Sequence, residues 1–137
     1  MKTNLEIVQI VYDITRESQV ASIISGSVYK LKRIDGSHLE DVVINCLGAS
    51  NEAVQYCLVN INIHVPNLVL SVDGANVDRS QVDFVRLNQL TKMVIEPLKD
   101  YWGDDYNIEI DQVTTFEERD IFEHYQNIRL NFRTLNK

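Results

Sequence analysis

Residues 56–65 read YCLVNINIHV, and Pro66 ends the run. Cys57, Val59, Ile61, Ile63 and Val65 take every second position, with Leu58, Asn60, Asn62 and His64 between them. Side chains of an extended chain point to opposite faces in turn, so the stretch describes a strand with one apolar and one mainly polar face. A sheet built on it needs cover on the apolar side only. No nucleophile motif, metal-ligand spacing or glycine-rich phosphate loop accompanies the strand, so the residues specify an architecture before any reaction.

Upstream, residues 27–34 and 41–47 read as two further strands, with Asp35 and Gly36 supplying turn chemistry between them. Three consecutive strands with short connections predict an antiparallel meander. Ahead of them, Thr3 and Glu6 form a capping box, and Leu5, Val8, Tyr12 with Ile7, Val11, Ile14 make an apolar stripe that predicts a helix to Thr15. A short helical piece is expected at 20–24, stopped by Gly26.

Downstream, residues 67–79 combine strand-like Leu68, Val69, Leu70 and Val72 with a turn signal at Asp73 and Gly74. The segment reads as a small hairpin or an excursion ordered against a partner. Ser80 and Asp83 precede a helix carried by Phe84, Leu87, Leu90, Val94, Leu98 and Tyr101, with a kink expected near Glu96 from Pro97. Residues 106–111 and 125–134 alternate as the last two strands, with the acidic segment 114–123 between them as a solvated loop. The expected fold is one domain over 1–137, α+β, with helices packed on one face of a mainly antiparallel sheet of about five strands in the order α-βββ-α-ββ.

At 137 residues and 45% hydrophobic content the chain suits one core. Thirteen basic against twenty acidic residues give a net charge of −7, which disfavours specific binding of a polyanion. Residues 104–123 hold eight acids and one base, Arg119. Cys46 and Cys57 lie in apolar strand patterns without close spacing and read as core thiols rather than a disulfide or metal pair. Glu6 and Asp13 interrupt the N-terminal apolar pattern, and no run reaches the roughly 20 apolar residues of a membrane span, so folding in a reducing cytoplasm is expected.

Three histidines are the candidates for chemistry. His124 beside Asp120 and Glu123 has the residue types of a metal or proton-transfer site, but the spacing matches no such motif, and a solvated acidic loop is the preferred reading. His64 shares the polar strand face with Asn60 and Asn62, where it suits a hydrogen bond to a neighbouring residue or to a partner subunit better than catalysis. His38 lies in a turn with no further signal. Lys30, Lys32 and Arg33 with Arg129 and Arg133 would form a basic stripe if the first and last strands share a face, with salt bridges preferred over phosphate contact. Tyr101, Trp102 and Tyr106 group near a helix end, suited to core or interface. No catalytic, metal or cofactor residue is assigned. The interface candidates are Asn60, Asn62, His64, Leu68, Leu70, Glu117, Glu118, Asp120, Glu123, Arg129 and Arg133.

Taken together, SGSVYKLKR (25–33), DVVINCLG (41–48), QYCLVNINIHVPN (55–67), VDFVRLNQLTKMVIEPLKDYW (82–102) and HYQNIRLNFRTLN (124–136) give the chain a layout that resembles the tail-completion, or tail-terminator, proteins of long-tailed bacteriophages and prophages. The resemblance covers nearly the whole chain and is one of layout and length, since no invariant catalytic motif marks that family. It implies a structural virion-assembly protein that forms a homo-oligomeric ring, often hexameric, at the tail end or head–tail neck. Tail-tube and head-connector proteins are the implied partners, with no cofactor, specific nucleic acid or membrane, and with assembly in the host cytoplasm before incorporation into the virion. Segments 67–79 and 114–123 are longer than a minimal member needs. If the acidic segment lines the central channel of such a ring, Glu117, Glu118, Asp120 and Glu123 would repel passing DNA. The competing reading is a small cytoplasmic protein-binding or immunity-type domain without enzymatic activity.

Overall fold

The computed structural model describes residues 1–136. Helix α1 (Asn4–Arg16) starts where expected: the Thr3 hydroxyl accepts from the Glu6 amide at 3.1 Å and donates to the Glu6 carboxylate at 3.4 Å. A single turn, α2 (Val20–Ile23), follows. Helix α3 (Phe84–Leu98) is capped by Asp83, whose carboxylate accepts from the Arg86 amide at 3.3 Å. It runs through Pro97 and ends one residue later, so the proline's missing donor falls in the last turn.

Eight strands complete the chain: β1 (Val28–Lys30), β2 (Asp41–Cys46), β3 (Val54–Pro66), β4 (Leu70–Asp73), β5 (Asn76–Asp78), β6 (Tyr101–Trp102), β7 (Tyr106–Glu118) and β8 (Glu123–Leu135). Six form one sheet in the order β1-β2-β3-β8-β7-β6, and β4 and β5 form a separate hairpin. The class is α+β, but the expected five-strand, mainly antiparallel sheet in the order α-βββ-α-ββ is overturned by this six-strand mixed sheet and the extra ribbon.

The meander fails at its first connection. β1 and β2 pair in parallel, Val28 against Val42 and Lys30 against Ile44. Leu31 takes φ 70°, which ends β1 far short of residue 34. The chain then leaves the sheet plane and crosses its polar side over 31–40 before β2 begins. Asp35 and Gly36 turn inside this strap instead of forming a hairpin. What holds the strap is the burial of the Arg33 side chain between two carboxylates, an interaction local turn chemistry does not encode.

The acidic segment 114–123 is also corrected from loop to sheet. β7 continues to Glu118, pairing Thr114 with Asn127 and Phe116 with Tyr125, and a 3-10 turn at Arg119–Ile121 returns the chain into β8. The Phe116 and Tyr125 rings lie 5.1 Å apart, a cross-strand pair of the kind that stabilises a ladder. The ladder shifts by one residue between Ile110 and Gln112, a bulge at Asp111.

α1 and α3 cover one face of the sheet. Ile7, Val8 and Val11 from α1, and Leu87, Leu90, Val94 and Leu98 from α3, close over Val42, Ile44, Val59, Ile61, Ile63, Ile128, Leu130 and Phe132. Each such side chain contributes about 1.5–3 kcal/mol when fully removed from water. Cys46 and Cys57 belong to this core, but their sulfur atoms are bonded as a disulfide, so the expectation of free thiols is corrected. Cys46 pairs with Val59, two residues from Cys57, which puts the two cysteines diagonally across adjacent strands on one face. Spacing in the sequence does not reveal that register.

Candidate interaction surface

The opposite face of the sheet carries no helix, and the residues along it fall into rows that the register defines. At one end lie Asp41, His64, Tyr125 and Phe116; next come Val43, Asn62, Asn127 and Thr114; then Asn45, Asn60, Arg129 and Gln112. Beyond them Leu58 pairs with Asn131, and the last row holds Tyr56, Arg133, Asn107 and Trp102.

The first row is sealed by the strap. Arg33 reaches Asp41 at 3.2 Å and also contacts the Glu123 carboxylate, while His64 Nδ1 sits 2.9 Å from the same Glu123 oxygen. The Ser37 hydroxyl donates to Asp41 at 2.5 Å, and the Ser27 amide donates to it at 3.1 Å. Asp41 and Glu123 are fully buried, and Glu123 Oε2 has no hydrogen-bond partner among the described residues. Two buried carboxylates facing one guanidinium depend on that guanidinium, because removing either sign leaves an uncompensated charge in low dielectric. Beside the cluster a concavity of about 380 Å³ is lined by Arg33, His38, Asn45, Asn62 and His64. His64 Nδ1 and the Arg33 guanidinium are engaged by the buried carboxylates, while His38 joins the lining from the strap.

The middle rows form a hydrogen-bonded asparagine patch. Asn127 Nδ2 donates to Asn62 at 2.8 Å and to Asn60 at 3.2 Å, and Asn60 donates to Asn45 at 3.4 Å. Arg129 pairs with Asp111 at 2.7 Å and donates to Gln112 at 3.0 Å. Arg133 pairs with Glu109 at 2.8 Å.

The far end of the face is apolar and open. Leu47, just past β2, is 97% exposed; Trp102 is 77% exposed and Tyr56 53%. Leu58 and Leu135 are also exposed. Arg133 lies in the row of Tyr56 and Asn107, its guanidinium 6.0 Å from the Tyr56 ring centre. Trp102, Arg133 and Leu135 line a groove of about 280 Å³ with Asp104 and Tyr106. Burial pushes the Tyr106 hydroxyl up to about 12, with help from its hydrogen bond to Tyr101 and the negative charges of Asp105 and Asp104. Exposed Trp, Tyr, Arg and Leu in one patch have the composition of an interface centre, whereas single exposed apolar residues are unremarkable.

The β4–β5 hairpin projects from the opposite end of the molecule. Its base is tied down: Asn67 N donates to Phe122 O and Leu68 N to Gln81 O, both at 2.9 Å, and Asn67 Oδ1 lies 2.6 Å from His124 Nδ1. The Arg79 guanidinium covers the Phe122 ring at 4.0 Å. Above that base, Leu70, Val72 and Val77 face solvent.

The interface candidates thus divide. Asn60 and Asn62 sit centrally on the open face, joined by Arg129 and Arg133. His64 and Glu123 come together in the buried cluster, which removes Glu123 from any solvated acidic loop. Glu117, Glu118 and Asp120 stay near the β7–β8 turn, with Glu117 3.2 Å from Arg119. Leu68 lies at the hairpin base and Leu70 on its arm. No basic stripe forms: Arg33 is buried in the cluster, and Lys30 lies on the helix-covered side, donating to Gln9 at 2.8 Å. His124 meets Asn67 rather than a metal, and among the described residues no group of three His, Cys, Asp or Glu is placed to hold one. Of the apolar end of the face, sequence reasoning noted only the Tyr101, Trp102 and Tyr106 group as suited to core or interface; Leu58 among the polar alternates and Leu47 directly after a strand were the further signals.

No family model and no curated protein matches this chain. No helix is long and apolar enough to cross a membrane among the described residues.

Proposed function

We propose that the chain is a structural subunit of a bacteriophage or prophage particle, forming a homo-oligomeric ring at the tail end or the head–tail neck and contacting tail-tube and connector proteins. Its work is docking, without turnover or cofactor. The observation that carries the reading is the uncovered sheet face with its Leu47, Tyr56, Leu58 and Trp102 patch, a surface whose apolar area favours contact with another protein over solvent. Buried Glu123 takes no part in a channel lining; Glu117, Glu118 and Asp120 retain that role in the proposal.

Gene neighbourhood and assembly test it together. Portal, capsid, connector and tail-tube genes are the expected neighbours, and the purified chain, incubated with tubes of the adjacent tail-tube protein, should cap them with rings visible by negative-stain electron microscopy. A neighbourhood free of virion genes, or tubes left uncapped, overturns the reading.

A further inference from the structure

The asparagine patch has a direction. Asn127 Nδ2 donates to Asn60 at 3.2 Å and to Asn62 at 2.8 Å, and Asn60 Nδ2 donates onward to Asn45 at 3.4 Å, so the carbonyl oxygens of Asn45 and Asn62 are both taken. Their own Nδ2 groups have no partner among the described residues. Both residues line the concavity of about 380 Å³ between strap and sheet, beside His64. The ladder fixes their placement. Asn45 pairs with Asn60 and Val43 with Asn62, which sets the two amides diagonally across β2 and β3, with His64 two residues further along the same face. We propose that this concavity binds an uncharged amide, whose carbonyl oxygen accepts from the Asn45 and Asn62 side chains and whose N–H donates to His64 Nε2. The site stands apart from the ring reading and does not depend on it.

His64 supplies the acceptor through its tautomer. A carboxylate oxygen has no hydrogen to give, so the Nδ1 that sits 2.9 Å from Glu123 carries the ring's proton, and Nε2 of the neutral ring keeps its lone pair. Two donors and one acceptor on adjacent strands match the C=O and N–H of an amide. Charge argues against an anion in the same place. Asp41 and Glu123 are buried carboxylates facing the single Arg33 guanidinium, and Lys32, the other permanent cation of the lining, pairs with Asp35 at 2.7 Å. Two bases against three acids leave a surplus of one negative charge, so a carboxylate or phosphate would be repelled. The dimensions also suit a small ligand. A volume of about 380 Å³ lies in the range of small-molecule pockets, and Ile34, Val43 and Ile121 give the polar floor apolar flanks.

Propionamide is the probe, titrated into the isotope-labelled full chain while nuclear magnetic resonance follows the side-chain amide signals of Asn45 and Asn62 and the ring nitrogens of His64. For so small a ligand, saturation with a Kd of about 1–10 mM is expected. Propionate, which brings a charge, and N,N-dimethylpropionamide, which lacks the N–H and leaves Nε2 unpaired, should each bind about tenfold more weakly or worse. Asn62→Asp and Asn45→Asp keep the oxygen that accepts within the patch and lose only the free NH₂ group. Each should weaken propionamide binding by about tenfold or more while circular dichroism stays unchanged. N-acetylalanine N-methylamide, which carries main-chain amides alone, separates the sources. Tighter binding than propionamide assigns the site to a polypeptide segment and weaker binding to a free small carboxamide, and either order supports an amide site. Equal affinity for propionate or for N,N-dimethylpropionamide, Asn45 and Asn62 signals that do not move, or affinity retained in both variants overturns it and leaves the ring reading untouched.

Discussion

Replacing Arg33 with methionine isolates the cluster that fixes the strap. The side chain is 14% exposed, its partners Asp41 and Glu123 are 0% and 1% exposed, and methionine keeps much of its length while removing the charge. After the change Asp41 retains the Ser37 hydroxyl and the Ser27 amide, but Glu123 keeps only His64 on one oxygen and nothing on the other. Breaking one partner of a buried ion pair costs about 3–5 kcal/mol, a fifth or more of the roughly 5–15 kcal/mol that stabilises a typical domain. The melting temperature should fall by about 10–15 °C, scaling from domains of similar length. Urea unfolding followed by circular dichroism gives the free energy, and adding Glu123→Gln closes a double-mutant cycle. Because Glu123→Gln removes the charge that Arg33→Met strands, the double variant should be destabilised by less than the sum of the singles, with a coupling of about 1–3 kcal/mol. An Arg33→Met protein within about 0.5 kcal/mol of the parent, the range of ordinary surface substitutions, would refute the claim that this charge balance holds the strap.

Further outcomes follow from other parts of the fold. Reducing the Cys46–Cys57 bond, which closes a loop of sequence separation 11, should lower stability by about 3 kcal/mol on the loop-entropy account, read by melting with and without reductant after mass spectrometry confirms the oxidised state. Gly26→Ala would place a methyl group 1.9 Å from an Asp41 carboxylate oxygen and 2.4 Å from the Glu40 carbonyl, so a loss of about 2 kcal/mol or more is expected in chemical denaturation. Glu40 is held below its ordinary 4.5, first by the side-chain hydrogen bond from Arg86 and also by the Ser25 amide. A depressed carboxylate stabilises the fold above its unfolded-state value and loses that contribution as pH falls through the folded-state value. Glu40→Gln should therefore cost a few tenths to about 1 kcal/mol at pH 7, discounted for solvent screening, with the difference from the parent vanishing at acidic pH below that range.

The parts of this fold legible in the sequence are those set by local periodicity. The α1 capping box, the α3 stripe and the alternation through 54–66 needed only neighbours three, four or two residues apart. The parts that were not legible depend on partners far along the chain. Arg33 meets Glu123 across 90 positions, and that contact, with Asp41, redirects 31–40 and makes β1 parallel to β2. The strand nature of 114–118 was hidden because its acids suggested solvent, whereas Phe116 meeting Tyr125 across the ladder decides the conformation. On the candidate surface, Asn60 and Asn62 were visible as polar alternates. The aromatic group around Trp102 was visible too, but not the groove it lines, since that forms only where β6, β7 and β8 lie side by side.

The pairing of β3 with β8 also sets when this chain becomes a protein at all. All 13 positions of β3 are zipped to β8, from Val54 against Leu135 to Pro66 against Glu123. During synthesis one edge of the middle strand stays unpaired while the intervening residues are made, because β8 is translated last. Contacts that span such distances slow the search for the native arrangement and lengthen the exposure of aggregation-prone segments. A ribosome stalled shortly before residue 123 would present a β3 that can pair with β2 but lacks β8 along its other edge, and yield in expression should track chaperone supply more than codon choice.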